Sequence, residues 1–127
     1  MKLNYCMPVI PSVDLEKSLL FWVEGLGFTA DNQMEHEGRL VGCMVHNDDM
    51  YFWLNQRAGG MIPQGYEGIR LYWTPADILE VRARLEQLGY AVSAIEGRDY
   101  GQTEFVVTDD DGYSHCFGVA TDSLENL

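Results

Sequence analysis

Two stretches of this chain follow one template. The first runs from Asp14 through Leu15, Leu19 and Trp22 to Leu26-Gly27-Phe28, and the second from Asp77 through Ile78, Val81 and Leu85 to Leu88-Gly89-Tyr90. Each is an aspartate, an apolar residue, an amphipathic helical stretch and then Leu-Gly-aromatic. The closing glycine lies thirteen residues after Asp14 and twelve after Asp77. Each copy follows a short apolar segment and precedes strand-like segments. A chain of 127 residues built from two similar halves has a natural ligand site in the cleft the halves form together.

The length suits one domain, 1–127, with a real core. Two half-size modules would each be small alone, so they are expected to share it. A hydrophobic fraction of 46% excludes wholesale disorder. No stretch is long and apolar enough to cross a bilayer, and the opening Met-Lys-Leu-Asn-Tyr-Cys-Met-Pro lacks the apolar core of a signal peptide, so a cytoplasmic protein is expected. The net charge of −12 argues against nucleic acid or an anionic membrane as partner. Cys6, Cys43 and Cys116 are odd in number and form no Cys-x-x-Cys pair, so they read as buried reduced thiols.

The local signals predict strand, helix, strand, strand, strand in each half. Leu3–Ile10 reads as an edge strand containing Pro8. Asp14 and Asp77 are the N-caps, and Gly25, Gly27 and Gly89 the stops. Leu15, Leu19 and Trp22 or Val23 form the buried stripe of the first helix; Ile78, Val81, Leu85 and Leu88 form that of the second. Phe28–Met34, Leu40–His46 and Met50–Asn55 read as strands, the last two joined by a turn at Asn47-Asp48-Asp49. A loop over Arg57–Gly65 divides a first module, 1–58, from a second, 66–127. There Gly68–Trp73, Tyr90–Ile95, Thr103–Thr108 and Tyr113–Val119 read as strands, with a turn at Asp109–Gly112. The fold class is α+β: two tandem βαβββ modules, helices on the outer face, the uncovered sheet faces lining a cleft.

These motifs resemble the vicinal oxygen chelate superfamily, which includes glyoxalases, extradiol dioxygenases and the fosfomycin and bleomycin resistance proteins. The likeness covers nearly the whole chain. It rests on Val13-Asp14-Leu15 with Ser18 and Phe21-Trp22, on Gly25-Leu26-Gly27-Phe28, and on Leu88-Gly89-Tyr90. The block from Tyr100-Gly101-Gln102-Thr103-Glu104-Phe105 to Asp109-Asp110-Asp111-Gly112-Tyr113, before a strand ending Phe117-Gly118, resembles the bleomycin resistance branch most.

Metalloenzymes of the superfamily place His, Glu or Gln ligands on four strands. Carried onto this chain, those positions fall at Met7 and Arg70, each seven residues before a capping aspartate, at Cys116, and at Trp53 within Tyr51–Leu54. This is not the hard His/carboxylate set of such sites, and no metal or other cofactor is expected. His36 and His46 flank turns and read as surface histidines. His115 neighbours Cys116, so it points to the helix side of its strand, where it too reads as a solvated or hydrogen-bonded surface group. No catalytic residues are assigned.

If the vacated positions mark the cleft side, alternation places Tyr5, Met7 and Val9 there from the first strand. Tyr51, Trp53 and Asn55 follow from the fourth, Arg70 and Tyr72 from the fifth, and Ser114 and Cys116 from the last. Ile69, Leu71, Trp73, Phe117 and Val119 would meet the helices. Such an aromatic groove suits a flat organic ligand. The resemblance implies a homodimer that sequesters a small molecule, in the manner of proteins that hold cationic, heteroaromatic bleomycins. Acidity favours a cationic ligand provided Arg70 is paired, for instance with Glu67 or Glu104; otherwise Arg70 suits a carboxylate or phosphate. The expected function is thus metal-free small-molecule binding rather than catalysis. The alternatives are a metal-dependent lyase or oxidoreductase of the glyoxalase/dioxygenase type with a shifted site, and a binding module with some other native ligand.

Overall fold

The computed structural model describes residues 1–57 and 69–124. Most of the loop expected over Arg57–Gly65, the start of the strand expected at Gly68, and Glu67 lie outside the described residues. The chain divides into two compact units, Met1–Ile62 and Pro63–Leu127. Each is a βαβββ module with a four-stranded mixed sheet.

In the first unit the elements are β1 (Val9–Ser12), helix α1 (Leu15–Leu19) running on into a π-helical segment (Leu20–Gly25), β2 (Thr29–His36), β3 (Arg39–Asn47) and β4 (Met50–Gln56). The sheet order is β1-β4-β3-β2, with β1 parallel to β4. The first strand is later and shorter than Leu3–Ile10. At the register Val9↔Trp53, residues before Cys6 would run off the start of β4 at Met50. Pro8 itself contributes only its carbonyl, which accepts from the Trp53 N–H at 2.9 Å. Pro11 sits inside β1, which is tolerated because β1 is an edge.

Asp14 caps α1 in extended backbone, its carboxylate accepting from Lys17 N at 3.5 Å. The buried stripe then departs from the expected one. The Leu26 N–H bonds five residues back to Phe21 O, at 2.9 Å. That wide turn brings the consecutive side chains of Phe21 and Trp22 inward together, while Leu19 is only half-buried. Trp22 meets Phe28 edge-on and Phe52 at a tilt, both at 5.1 Å between centroids. With Ile10, Leu15, Cys43, Val45 and Leu54 these rings form the core between α1 and the sheet. The two serines admitted to it, Ser12 and Ser18, satisfy each other at 2.5 Å. Gln56 ties the β1–α1 corner to β4, accepting from Leu15 N at 3.0 Å and donating to Val13 O at 2.6 Å.

The second unit comprises β5 (Arg70–Trp73), α2 (Ile78–Gln87), β6 (Glu96–Gly97), β7 (Gln102–Thr108), β8 (Ser114–Ala120) and a short α3 (Thr121–Leu124), in sheet order β5-β8-β7-β6. Asp77 caps α2 with two bonds of 3.1 Å, to Leu79 N and Glu80 N. Gly89, at φ +94°, closes it with a pair of bonds: Gly89 N to Glu86 O and Tyr90 N to Leu85 O. The strand expected over Tyr90–Ile95 is reduced to a bridge, Val92↔Val107, with regular pairing only at Glu96–Gly97. Ser93 explains the break. Its hydroxyl accepts from the Val106 N–H at 2.8 Å, taking the place of a backbone carbonyl in the ladder.

Candidate functional site

Strand alternation sorts each sheet into a helix-covered face and an open one. In the first unit the covered residues Ile10, Cys43, Val45 and Leu54 are buried. The rungs Val9↔Trp53, Met44↔Trp53 and His46↔Tyr51 put those side chains on the other face. There lies a pocket of about 810 Å³. Of the residues expected at a site, Tyr5, Met7, Tyr51 and Trp53 line it together. Asn55 shares their face and accepts from the Trp53 Nε1–H at 3.2 Å, holding the indole in orientation. Tyr5 and Tyr51 face each other at 6.2 Å, and His46, bound to Asp31 at 2.6 Å, stacks on Tyr51 at 5.7 Å.

The sequence reading missed Asn4, Asn32, Met44 and Asp49, which complete the lining. Asn32 enters through a β-bulge. The β2–β3 register shifts between Asp31 and Met34, and Asn32 takes φ +51°. It also missed Gly42. A Cβ there would lie 2.4 Å from Trp53 Cζ2, so the indole lies over the bare backbone of β3. A glycine in the middle of an apolar strand, Leu40–His46, was the available signal.

In the second unit Arg70, Tyr72, Ser114 and Cys116 share the open face, through the rungs Arg70↔Ser114 and Tyr72↔Cys116. The device of the first unit recurs: a Cβ on Gly118 would lie 2.1 Å from the Tyr72 hydroxyl oxygen. What alternation alone did not reveal is the carboxylate at the centre. Glu104 is 3% exposed and accepts from the hydroxyls of Tyr72 and Tyr100 and from Arg98 Nε at 3.3 Å, while Arg98 Nη1 reaches Glu96 at 3.2 Å. Burial alone would raise the Glu104 carboxyl, but the bonds from Tyr100, Tyr72 and Arg98 outweigh it and its pKa is lowered. The Tyr72 phenol is pushed up by burial and by Glu104, the Tyr100 phenol chiefly by its bond to Glu104. Glu104, suggested above as a partner for Arg70, thus pairs with Arg98.

Two residues differ from expectation by depth. Cys6 is exposed, since the segment that carries it lies before the sheet; Cys43 is buried and Cys116 half-buried. His115 is fully buried. Its Nδ1 accepts from Trp73 Nε1 at 2.9 Å, and its Nε2 lies 2.7 Å from Asp109 Oδ2. An indole N–H can only donate, so His115 carries its proton on Nε2 and gives it to Asp109. Asp109 Oδ1 meanwhile accepts from Asp111 N and Tyr113 N, both at 2.9 Å, which fixes the β7–β8 turn.

The four positions that the resemblance makes metal ligands do not suit a metal ion. Met7 and Trp53 offer a thioether and an indole, and Arg70 a cation. Burial first, and the nearby Glu104 charge, raise the Cys116 thiol, which disfavours the thiolate a metal would need. Among the described residues no three His, Cys, Asp or Glu side chains gather so as to hold one.

Residues 2–117 match the family model described as Glyoxalase/Bleomycin resistance protein/Dioxygenase superfamily. No curated protein matches the sequence. Among solved structures, TnmS3, an antibiotic-binding protein from Streptomyces sp. CB03234, aligns at 20% identity and TM-score 0.69 over 94% of this chain and 98% of its own. A glyoxalase/bleomycin resistance protein from the same organism aligns at 23% identity and TM-score 0.64, over 89% and 97%. The fosfomycin resistance protein FosX from Mesorhizobium loti aligns at 14% identity and TM-score 0.70 over the whole of both chains. At such identities the likeness shows the fold.

Proposed function

The chain belongs to the glyoxalase/bleomycin resistance protein/dioxygenase superfamily, and on that footing we propose that it is a metal-free small-molecule-binding protein that sequesters a flat organic ligand. The observation that carries this reading is the Trp53 indole laid over Gly42 in a pocket of about 810 Å³, with Tyr5 and Tyr51 at its side. That volume is in the range of drug-sized ligand sites, and the walls combine aromatic faces with a few amides and one carboxylate. Binding needs no bond made or broken: rings stack on Trp53 and Tyr51, and the net charge of −12 raises the local concentration of cationic ligands. An antibiotic-binding protein of the same fold is consistent with this use of the scaffold. On the open face of the second unit Arg70, Tyr72, Ser114 and Cys116 are assigned to the same task. A homodimer in the cytoplasm belongs to the proposal as well.

Titration of the purified protein with bleomycin and with cationic aromatic compounds, read by tryptophan fluorescence, tests the reading; saturable quenching is expected. No saturable quenching by any of them would count against it. A stoichiometric transition metal in protein purified without chelator would overturn the metal-free part and favour an enzyme of the superfamily. Sedimentation equilibrium tests the dimer.

A further inference from the structure

The tyrosine pair around Glu104 has a property that neither ring has alone. A phenol holds one proton and has oxygen lone pairs to accept with. Tyr72 gives its proton to Glu104 Oε2, and Tyr100 gives its proton to Oε1. Gln102 Oε1 also lies within reach of Tyr72, at 3.5 Å, but the single proton goes to the much closer carboxylate. Glu104 itself is sealed from solvent, with a side chain 4% exposed, whereas Tyr72 is 54% and Tyr100 66% exposed. The charge is therefore hidden beneath two largely exposed tyrosines, whose oxygens, having given their protons to it, have only lone pairs left to offer. Gly118 completes the arrangement by letting the Tyr72 ring lie close over β8.

We propose that Tyr72 and Tyr100, locked by Glu104, form an acceptor-only subsite that selects planar ligands presenting N–H donors along an edge. This rests on the reading of the protein as a binder of flat organic molecules and adds the chemistry that such a molecule must display. A carboxylate or an ether edge meets two oxygens that cannot donate to it. An amino-substituted ring or an amidine meets two acceptors already polarised by a carboxylate, and can stack on the exposed phenol at the same time. Arg98 does not reverse this preference, because its positive charge is matched by the carboxylates of Glu104 and Glu96, which its Nε and Nη1 bond.

Three fluorescent probes of similar shape separate the terms. Proflavine is a planar cation with two amino groups, 10-methylacridinium is a planar cation without N–H, and anthracene-9-carboxylate offers acceptors only. The first two share a charge, so their difference reports donors rather than the acidic field. Proflavine is expected to bind the protein about three- to tenfold more tightly than 10-methylacridinium, as one or two hydrogen bonds provide, and anthracene-9-carboxylate most weakly. Tyr72→Phe and Tyr100→Phe keep the rings and remove the oxygens; each is expected to erase most of proflavine's advantage over 10-methylacridinium. Thermal melts confirm folding, and Tyr100→Phe alone decides if Tyr72→Phe does not fold. Equal binding of the two cations, tightest binding of the carboxylate, or an advantage that survives in the folded variants would overturn the subsite. Failure of all three probes to bind would instead overturn the flat-ligand reading on which it rests.

Discussion

Gly42 and Glu104 show how single residues set the two open faces. At Gly42 a methyl group would meet the Trp53 ring at 2.4 Å. Gly42→Ala is expected to push the indole off the sheet, costing about 1–3 kcal/mol of stability, as overpacking does, and weakening dye binding. Denaturant melts with tryptophan emission would register both effects. Glu104 adds a pH dependence. Its folded pKa is lowered from 4.5, so its stabilisation is complete above that value and is lost as pH falls through the lowered one. Melting temperatures of the protein and of Glu104→Gln should differ at neutral pH and converge in acid, as pH falls below 4.5 and through the lowered folded value. Both residues stand in plain view in the sequence, yet only geometry shows their work: a strand glycine is readable as a close approach, but not what approaches. Alternation correctly sent His115 to the helix side. The reading of it as a surface group failed because depth depends on what covers the strand.

Among elements, the helix boundaries were the most legible, since the capping rules act over a few residues and need no tertiary information. The two caps nonetheless differ in quality. Asp77 makes two bonds of 3.1 Å, and Asp14 one of 3.5 Å. Asp77→Ala should therefore cost about 1 kcal/mol and Asp14→Ala clearly less, a contrast that urea denaturation of the two variants resolves. What failed to read through was each place where the backbone leaves its regular period. The wide turn at Leu20–Gly25 brings Phe21 and Trp22 inward together, which no period of 3.6 residues anticipates. Ser93 looks like an ordinary strand residue until its hydroxyl takes a ladder bond. The bulge at Asn32 likewise carries no strong sequence mark, because asparagine in a polar strand is unremarked until its φ is known.

At the scale of the whole molecule the duplication predicted the architecture because both copies must solve one problem, covering one face of a four-stranded sheet with one short helix. The site residues were half legible on the same grounds. Period-two alternation along β4 placed Tyr51 and Trp53 on one face, whereas Asn4, Tyr5 and Met7 come from the segment ahead of the sheet and Asn32 from a bulge. The acidic charge acts on the molecule as one body. If the field of a net charge of −12 draws in cationic ligands, the association rate of proflavine should fall steeply as salt shortens the screening length from about 30 Å at 0.01 M to about 10 Å at 0.1 M, with dissociation little changed. Stopped-flow fluorescence measures both rates.

The line of contacts from Asp109 through His115 to Trp73 also bears on the order in which the second unit assembles. The β7–β8 hairpin closes over a few residues, whereas β5 must return across more than forty to lie beside β8. The turn aspartate sets the histidine tautomer within the hairpin, so a hairpin that closes first holds a ready acceptor for the Trp73 indole. The hairpin is then the mould and β5 the cast. Pulse-labelled hydrogen exchange during refolding should find β7 and β8 amides protected ahead of those of β5, and Asp109→Asn, which leaves both strands intact, should delay the second event more than the first.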